Sequence, residues 1–324
     1  MERRVIAIVG PTASGKSEIA FRLAKVLDTE VISADSRQIY KELKLGTVKP
    51  PENYLNEIKH YFIDHISISE KYDVGKYVKE AKNVIENLHQ RNKIPIIVGG
   101  TGLYINALLY GLFEGPSASE EIRYKLEKDF KERGIDFLLY KLKDVDPITY
   151  EKIDKNNPRR IIRALEVYYL KGIPISSLHV KTVKPEYEKY VFGLKWDRKI
   201  LYERINMRVE MIIESGLIDE VKNLVKIFGR DNQIIIETVG YKEILGFLEG
   251  KLTFNETIEL IKRNTRRYAK RQMTWFRKNK EIVWLEITSN SEMDSVIQKI
   301  LQTISEGKSY ENKNKNSLGA GFLG

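Results

Sequence analysis

The sequence predicts an α/β fold, a phosphate-loop (NTPase- or kinase-like) parallel sheet flanked by helices, with an all-helical insertion. The first observation is an apolar run, Val5–Val9, that opens into the pattern G-x-x-x-x-G-K-[ST] at 10–17 and continues into a helical repeat. The second is a series of further short apolar runs, at 30–34, 94–98 and 189–194, separated by helical segments. Strands that alternate with helices in this way are typical of parallel sheets.

The segment after the first strand has the complete pattern of a phosphate-binding loop. In such a loop the backbone N–H groups and the N-terminus of the next helix face a phosphate chain, and Lys16 reaches the outer phosphates. The Ser17 hydroxyl is placed to ligate Mg²⁺. A glycine-rich turn with a chance lysine is the alternative, and the order strand, loop, helix disfavours it. The predicted phosphate-binding residues are Gly10, Pro11, Thr12, Ala13, Ser14, Gly15, Lys16 and Ser17.

Asp35 follows the second predicted strand, 30–34. The ligand-binding and catalytic residues of open α/β sheets lie at the carboxyl ends of the strands, so Asp35 should face the phosphate loop. Asp is also a good helix N-cap, and the catalytic and capping roles do not exclude each other.

The third predicted strand, 94–98, ends in Gly99, Gly100 and Thr101. A phosphate-loop ATPase usually has a magnesium-binding acid at this place. Its absence argues against a motor or switch that hydrolyses ATP. The glycines allow a ligand to approach the backbone and the Thr101 hydroxyl can bind one, although a purely structural glycine turn is the alternative.

Composition bounds the organisation of the chain. Its 324 residues are long for one domain, and 55 Lys and Arg against 45 Asp and Glu give a formal net charge of +10. With no cysteine there is no disulfide, thiolate metal site or cysteine nucleophile, and no apolar segment approaches the length of a membrane span. The predicted parts are a core at 1–115 and 187–306, a helical insertion at 116–186, and a disordered tail at 307–324.

Positive charge is concentrated in a predicted helix over 255–280. Residues 262–280 hold nine Lys or Arg and no acid. A helix face that is only solvated usually carries both positive and negative side chains. The purely positive run therefore indicates that this helix binds a polyanion. The residues that share its basic face are Arg263, Arg266, Arg267 and Lys270.

The insertion carries a second arginine pair, in a helix that begins at Asn157 and Pro158. Arg159 and Arg163 lie four residues apart and share a face of this helix. They are either solvated or hold a phosphodiester backbone.

Five segments, in order along the chain, carry a resemblance to a known family. They are Gly10–Ser17, Asp35–Tyr40, Gly99–Tyr104, Asn157–Arg160 and Ala269–Phe276. Together they closely resemble the bacterial tRNA dimethylallyltransferases. The eukaryotic members of that family have a C-terminal zinc finger, which a chain without cysteine cannot form.

The resemblance implies transfer of a dimethylallyl group from its diphosphate to the exocyclic amine of the adenosine 3′ to the anticodon, in tRNAs that read codons beginning with U. It implies a cytoplasmic, monomeric enzyme that uses Mg²⁺ and needs no membrane. Catalysis would fall to Asp35, Lys16 and Thr101, and residues 10–17 would bind the diphosphate. The implied tRNA-binding residues are Asp35, Ser36, Arg37, Gln38, Thr101, Arg123, Arg159, Arg160, Arg163, Gly240, Lys242, Arg266, Arg267 and Lys270.

Two other functions share some of these features. A small-molecule kinase would have the same loop and fold, but it needs a phosphate acceptor and a lid. A kinase function also does not explain the basic helix. An RNA-binding NTPase would explain the basic helix, but it needs the acid that Gly99 and Gly100 replace.

Overall fold

The computed structural model describes residues 3–111, 115–116, 118–178 and 187–307. Within them lies one six-stranded sheet of order β3-β2-β4-β1-β5-β6, and every pairing in it is parallel. This arrangement confirms the predicted fold class. The strands are β1 Arg4–Val9, β2 Val31–Ser33, β3 His60–Tyr61, β4 Ile96–Gly99, β5 Glu188–Trp196 and β6 Val283–Ile287.

Strand β1 lies near the middle of the sheet, and its residues from Val5 to Val9 are fully buried. Val9 is paired with Gly99 of β4, and Ser33 of β2 is paired with Val98. Because all strands run in the same direction, the segments that follow β1, β2 and β4 emerge at one edge of the sheet. The phosphate loop, Asp35 and Gly100 therefore share that edge.

Helices account for most of the remaining chain, which divides into two compact units, Met1–Leu109 with Glu186–Gly324 and Tyr110–Pro185. Ahead of the second unit lie α1 Lys16–Val26, α2 Glu52–Glu57, α3 Val74–Gln90 and α4 Gly102–Tyr110. The second unit contains α5 Glu120–Val145, α6 Pro147–Lys152, α7 Pro158–Lys171 and α8 Ile175–Leu178. After it follow α9 Arg198–Glu214, α10 Leu217–Phe228, α11 Gln233–Glu237, α12 Tyr241–Leu248, α13 Phe254–Phe276 and α14 Met293–Ser305.

The second unit has its own apolar core and well-capped helices. Leu138, Leu142 and Leu165 are fully buried in this core. Ser119 accepts a hydrogen bond from the Ile122 N–H at the start of α5, and Asn157 caps α7, where Pro158 takes the first position. These caps satisfy N–H groups that would otherwise lack partners.

Several expectations about individual elements need correction. The apolar alternation of residues 60–66 predicts a strand, but the strand covers only His60–Tyr61, because Phe62 and Asp64 have positive φ angles that bend the chain. The basic helix ends at Phe276 rather than at 280. Of the expected tail, residues 308–324 lie outside the described residues. None of the helices that the structure describes is long and apolar enough to cross a bilayer.

Candidate active site

The phosphate loop leaves the N-terminus of α1 open. Gly15, at the N-cap position, has a φ of 84°, a left-handed conformation that side chains other than glycine rarely adopt. No side chain among the described residues caps this helix, so its first N–H groups are available to an anion. Lys16 Nζ donates to the Pro11 carbonyl at 2.6 Å, and the buried Ser14 hydroxyl donates to the same oxygen at 2.8 Å.

Side chains from distant elements hold the loop backbone in place. Trp196 Nε1, at the end of β5, donates to the Ser14 carbonyl at 3.0 Å. Arg204 Nε, on α9, donates to the Ala13 carbonyl at 2.9 Å. Gln272 Oε1, on α13, accepts from the Thr12 N–H at 2.9 Å. The loop conformation is therefore built into the fold before any ligand binds.

A cavity of about 530 Å³ opens beside the loop. Its size suits a small ligand. It is polar on the side of the phosphate loop and has apolar groups, such as Val48 and Tyr54, elsewhere in its wall. The predicted residues that line it are Thr12, Ala13, Ser14, Gly15, Lys16, Ser17, Asp35, Ser36, Arg37 and Gln38, joined by Arg204, Arg208, Tyr268, Arg271 and Gln272.

Positive charge converges on the cavity. Burial lowers the pKa of Lys16 to about 8, Asp35 opposes this shift, and the Arg208 guanidinium adds to it. Burial also lowers the pKa of Arg208, and Arg204 lowers it further. Cations that repel each other across a partly desolvated space have a strong affinity for an anion that would neutralise them.

Asp35 lies in a turn rather than at the start of a helix. Its Oδ1 accepts from the N–H groups of Arg37 at 2.9 Å and Gln38 at 3.3 Å. The alternative role of Asp35 as a helix cap does not apply, because no helix follows; the side chain closes a local turn instead. The described residues place no donor on Oδ2, which remains available to a group in the cavity.

Strand β4 ends at Gly99, where the backbone of Ala34 leaves no room for a side chain, and a side chain at Gly100 would have to displace the amide of Gln272. A Cβ at Gly99 would lie 2.2 Å from the Ala34 carbonyl, and one at Gly100 would lie 2.2 Å from Gln272 Nε2. The Thr101 hydroxyl accepts from the Ser36 N–H at 3.0 Å and lies 3.3 Å from the Ser36 hydroxyl. Thr101 therefore ties the turn of Asp35 to the end of β4, and it does not itself line the cavity.

Gln38 shapes the wall of the cavity. Its side-chain amide donates to the carbonyls of Thr47 at 3.2 Å and Val48 at 3.0 Å. Val48 has a φ of 48°, which is strained for a β-branched residue. Strain of this kind persists where neighbouring contacts hold it, and it is common at binding sites.

The basic face of α13 divides into exposed and bound residues. Arg263, Arg267 and Lys270 are exposed. Arg266 is half-buried and donates to Asn206 Oδ1 at 2.6 Å. The face that was expected to be uniformly available therefore has one member already engaged by α9.

Two further predicted residues lie near α12. The Gly240 N–H donates to Glu243 at 2.6 Å, and Lys242 is exposed with its ammonium 3.7 Å from the same carboxylate. Neither residue lines the cavity.

Comparisons with known proteins show the family of the chain. The family model described as IPP transferase matches residues 38–279. The chain belongs to the IPP transferase family. It is 45% identical over 294 residues to the tRNA dimethylallyltransferase of Acetivibrio thermocellus, which covers 90% of this chain and 93% of that relative.

Solved structures of the IPP transferase family show the same architecture. The tRNA isopentenylpyrophosphate transferase of Bacillus halodurans is 37% identical, with a TM-score of 0.70 over 96% of this chain and 100% of that one. A eukaryotic dimethylallyltransferase, whose structures show it acting on tRNA, is 30% identical, with a TM-score of 0.79 over 94% of this chain and 78% of its own. Membership identifies the protein as a transferase, and the kinase and NTPase alternatives are not favoured.

In this IPP transferase the predicted arginines of the helical unit differ in their surroundings. Arg159 and Arg160 are exposed. Arg123 Nη2 and Arg163 Nη1 instead donate to the fully buried Glu166, at 3.0 and 2.7 Å. Burial alone would raise the pKa of Glu166, but these arginines and the Ser119 N–H hold it below its ordinary value.

Sequence reasoning missed several residues of the IPP transferase cavity. Arg204 and Arg208 form an i, i+4 pair on α9, a spacing that shows a common face without showing what the face meets. Tyr268 and Gln272 lie on α13 and line the cavity, although helical spacing alone does not distinguish a side chain that lines a cavity from one that packs in the core.

Proposed function

We propose that this chain transfers a dimethylallyl group from dimethylallyl diphosphate to the exocyclic amine of the adenosine 3′ to the anticodon, in tRNAs that read codons beginning with U. The observation that carries this proposal is one cavity that joins a phosphate loop to Asp35 and lacks room for a hydrolytic acid at Gly99. Diphosphate would be a leaving group there rather than an energy source.

The leaving group would be stabilised by groups that are already in place. Negative charge grows on the diphosphate as the bond to the prenyl carbon breaks. Lys16 and the open N-terminus of α1 meet that charge, with Arg208 as a further cation of the same cavity. Electrostatic stabilisation by such preorganised groups is usually the largest catalytic contribution.

The nucleophile would be the adenine amine, which is weak because its lone pair is delocalised into the ring. As its nitrogen bonds to the prenyl carbon and the diphosphate leaves, the amine becomes acidic and loses a proton. Asp35 is suited to orient the amine and accept the proton, because Oδ1 is held by the turn while Oδ2 has no described donor. The base must leave its stack to reach the cavity, as enzymes that modify bases require. Thr101 acts through Ser36, fixing the turn in which Asp35 lies.

The residues of the loop fit a magnesium ion that is shared with the substrate. Ser17 lines the cavity beside Lys16, and no cluster of three His, Asp, Glu or Cys among the described residues could hold a metal without the substrate. Mg²⁺ commonly binds through few protein oxygens together with substrate phosphates and water. When bound, the ion would neutralise charge on the diphosphate.

The tRNA would be held by the exposed cations of α13 and by the stretches 35–38 and 237–242, with the arginines of the helical unit as further contacts. We propose the cytoplasm as the location, because tRNA is the substrate, and a monomer as the active form. Arg123 and Arg163 would present their remaining N–H groups while Glu166 holds them.

Replacing Arg267 by Ala should weaken tRNA binding and reduce the slope of log affinity against log salt by about one unit, because one phosphate contact is lost. Replacing Arg266 should act in the same direction but less, because its guanidinium is shared with Asn206. Binding isotherms over a salt series measure both slopes. Arg91→Ala is the control: this exposed arginine pairs with Glu30 beside the start of β2, away from the cavity. An unchanged slope in Arg267→Ala would show that the face is only solvated.

Binding of dimethylallyl diphosphate should be coupled to the uptake of a proton by Lys16. With a pKa of about 8, roughly half of Lys16 is deprotonated at pH 8. A bound diphosphate favours the ammonium and raises this pKa, so the enzyme should take up about half a proton at pH 8, and less as the pH falls toward 7. Calorimetry with dimethylallyl thiolodiphosphate, a non-reacting analogue, in two buffers of different ionisation enthalpy measures this uptake. Identical heats in the two buffers at pH 8 would contradict the role of Lys16.

The proposed reaction is tested by incubating the purified protein with unmodified tRNA and dimethylallyl diphosphate and digesting the product to nucleosides. We expect the prenyl group on adenosine, and only in tRNAs that have adenosine 3′ to the anticodon. A tRNA with guanosine at that single position is the matched control. Equal labelling of both tRNAs would refute the assigned position.

A further inference from the structure

Gln272 connects the basic helix to both sides of the phosphate site. Its Oε1 accepts from the Thr12 N–H at 2.9 Å, and its Nε2 donates to the Gly100 carbonyl at 3.0 Å. The side chain is 6% exposed, so water competes little with either bond. One amide therefore joins the segments that follow β1 and β4.

The bond to Thr12 fixes a peptide group that also contacts Lys16. The Thr12 N–H and the Pro11 carbonyl belong to the same peptide unit, which is planar. That carbonyl accepts from Lys16 Nζ and from the Ser14 hydroxyl. The orientation that Gln272 imposes on the N–H thus sets the position of the oxygen that holds the lysine.

The side chain of Gln272 is tightly packed. A Cβ at Gly100 would approach Gln272 Nε2 to 2.2 Å, and a Cβ at Gly102 would approach the Trp275 ring to the same distance. Ala269, one turn before Gln272, is fully buried in the cluster that contains Ala13. The inner side of α13 therefore packs tightly beside the loop, while its outer side exposes Arg267 and Lys270.

We infer that Gln272 is a positioning residue that couples α13 to the phosphate loop, so that tRNA on the helix and prenyl diphosphate in the loop strengthen each other's binding. The inference rests on the proposed function. A helix shifts as a unit, and Gln272 transmits a shift of α13 to the Pro11–Thr12 peptide. Coupling of this kind is reciprocal: each ligand changes the affinity of the other by the same factor.

The test is Gln272→Met, which keeps the length of the side chain and removes both hydrogen bonds. Affinity for dimethylallyl thiolodiphosphate is measured with and without tRNA, and tRNA affinity is measured alone. In the wild type we expect tRNA to tighten analogue binding about tenfold, and in the variant by less than about twofold. The KM for dimethylallyl diphosphate should rise about tenfold while kcat and tRNA affinity stay within about threefold.

The matched control is Gln302→Met on α14, an exposed glutamine whose side-chain amide donates to Glu306 on the surface, at 2.7 Å. It should behave as the wild type. A Gln272→Met variant that keeps the wild-type coupling would overturn the inference and leave the proposed function standing. A wild-type protein that binds neither tRNA nor the analogue would refute the proposed function, and this inference with it.

A measurement on the wild type does not depend on whether the variant folds. If Gln272 transmits binding, tRNA should slow hydrogen exchange at the Thr12 amide, whose partner is Gln272. Exchange at the amides of α3, a helix of the same unit, should not change. Unaltered exchange at Thr12 in the presence of saturating tRNA would overturn the inference.

Discussion

Replacing Lys16 by Ala should reduce prenyl transfer to less than about a thousandth of the wild-type rate and leave tRNA binding nearly unchanged. Removing one preorganised donor from a developing anion typically costs a factor of about 10²–10³, and Lys16 also contributes a full charge. The ammonium is positioned on the loop by the Pro11 carbonyl, and burial has already lowered its pKa to about 8. Single-turnover transfer and a tRNA binding isotherm, measured on the same preparation, give the two quantities.

Lys25→Ala is the matched control for this variant. Lys25 lies in the last turn of the same helix, is about half exposed and pairs with Glu57 on the surface. An exposed ion pair of this kind contributes about 0–1 kcal/mol, so this variant should transfer at the wild-type rate. Parallel loss of transfer and of tRNA binding in Lys16→Ala would show that the lysine supports the fold rather than the diphosphate.

Replacing Asp35 by Asn should slow single-turnover transfer at least about a hundredfold and leave the melting temperature near that of the wild type. Loss of a general base typically costs about 10²–10⁴-fold. The turn should survive, because the Asn side-chain oxygen can accept the same N–H bonds from Arg37 and Gln38. What Asn cannot do is take a proton at neutral pH.

Asp28→Asn serves as the control for the loss of one carboxylate. Asp28 is 96% exposed and lies at the end of α1, away from the cavity wall. It should leave the transfer rate unchanged. If Asp35→Asn retains more than about a tenth of the wild-type single-turnover rate, Asp35 is a turn residue and another group is the base.

The parts of the site that sequence reasoning predicted are those encoded locally. The phosphate loop depends on glycine, lysine and serine at fixed spacing, and these residues act through backbone N–H groups and side chains of one short segment. Asp35 could be placed because it follows a strand, and all parallel strands end at one edge. Even there the sequence left the local role of Asp35 open between a helix cap and a turn, because a single Asp closes a turn as readily as it caps a helix.

The rest depends on contacts between residues far apart in the chain. Gln272 meets Thr12 across a separation of 260 residues, and no local pattern distinguishes its buried amide from an exposed one. Likewise, the helical period put Arg266 and Arg267 on one face, but only the packing of α13 against α9 shows that Arg266 meets Asn206. In the helical unit, Glu166 could not be assigned to Arg123 before the packing of α5 on α7 was known.

The central claim, that the loop binds the diphosphate of a prenyl donor, is tested most directly by comparing two donors with one tRNA. The protein is incubated with unmodified tRNA and either carbon-labelled dimethylallyl diphosphate or ATP labelled in its terminal phosphate. We predict label on the tRNA from dimethylallyl diphosphate, release of one diphosphate for each prenyl group transferred, and no transfer or hydrolysis of the ATP label. Label from ATP, or hydrolysis of ATP stimulated by tRNA without prenyl transfer, would contradict the account.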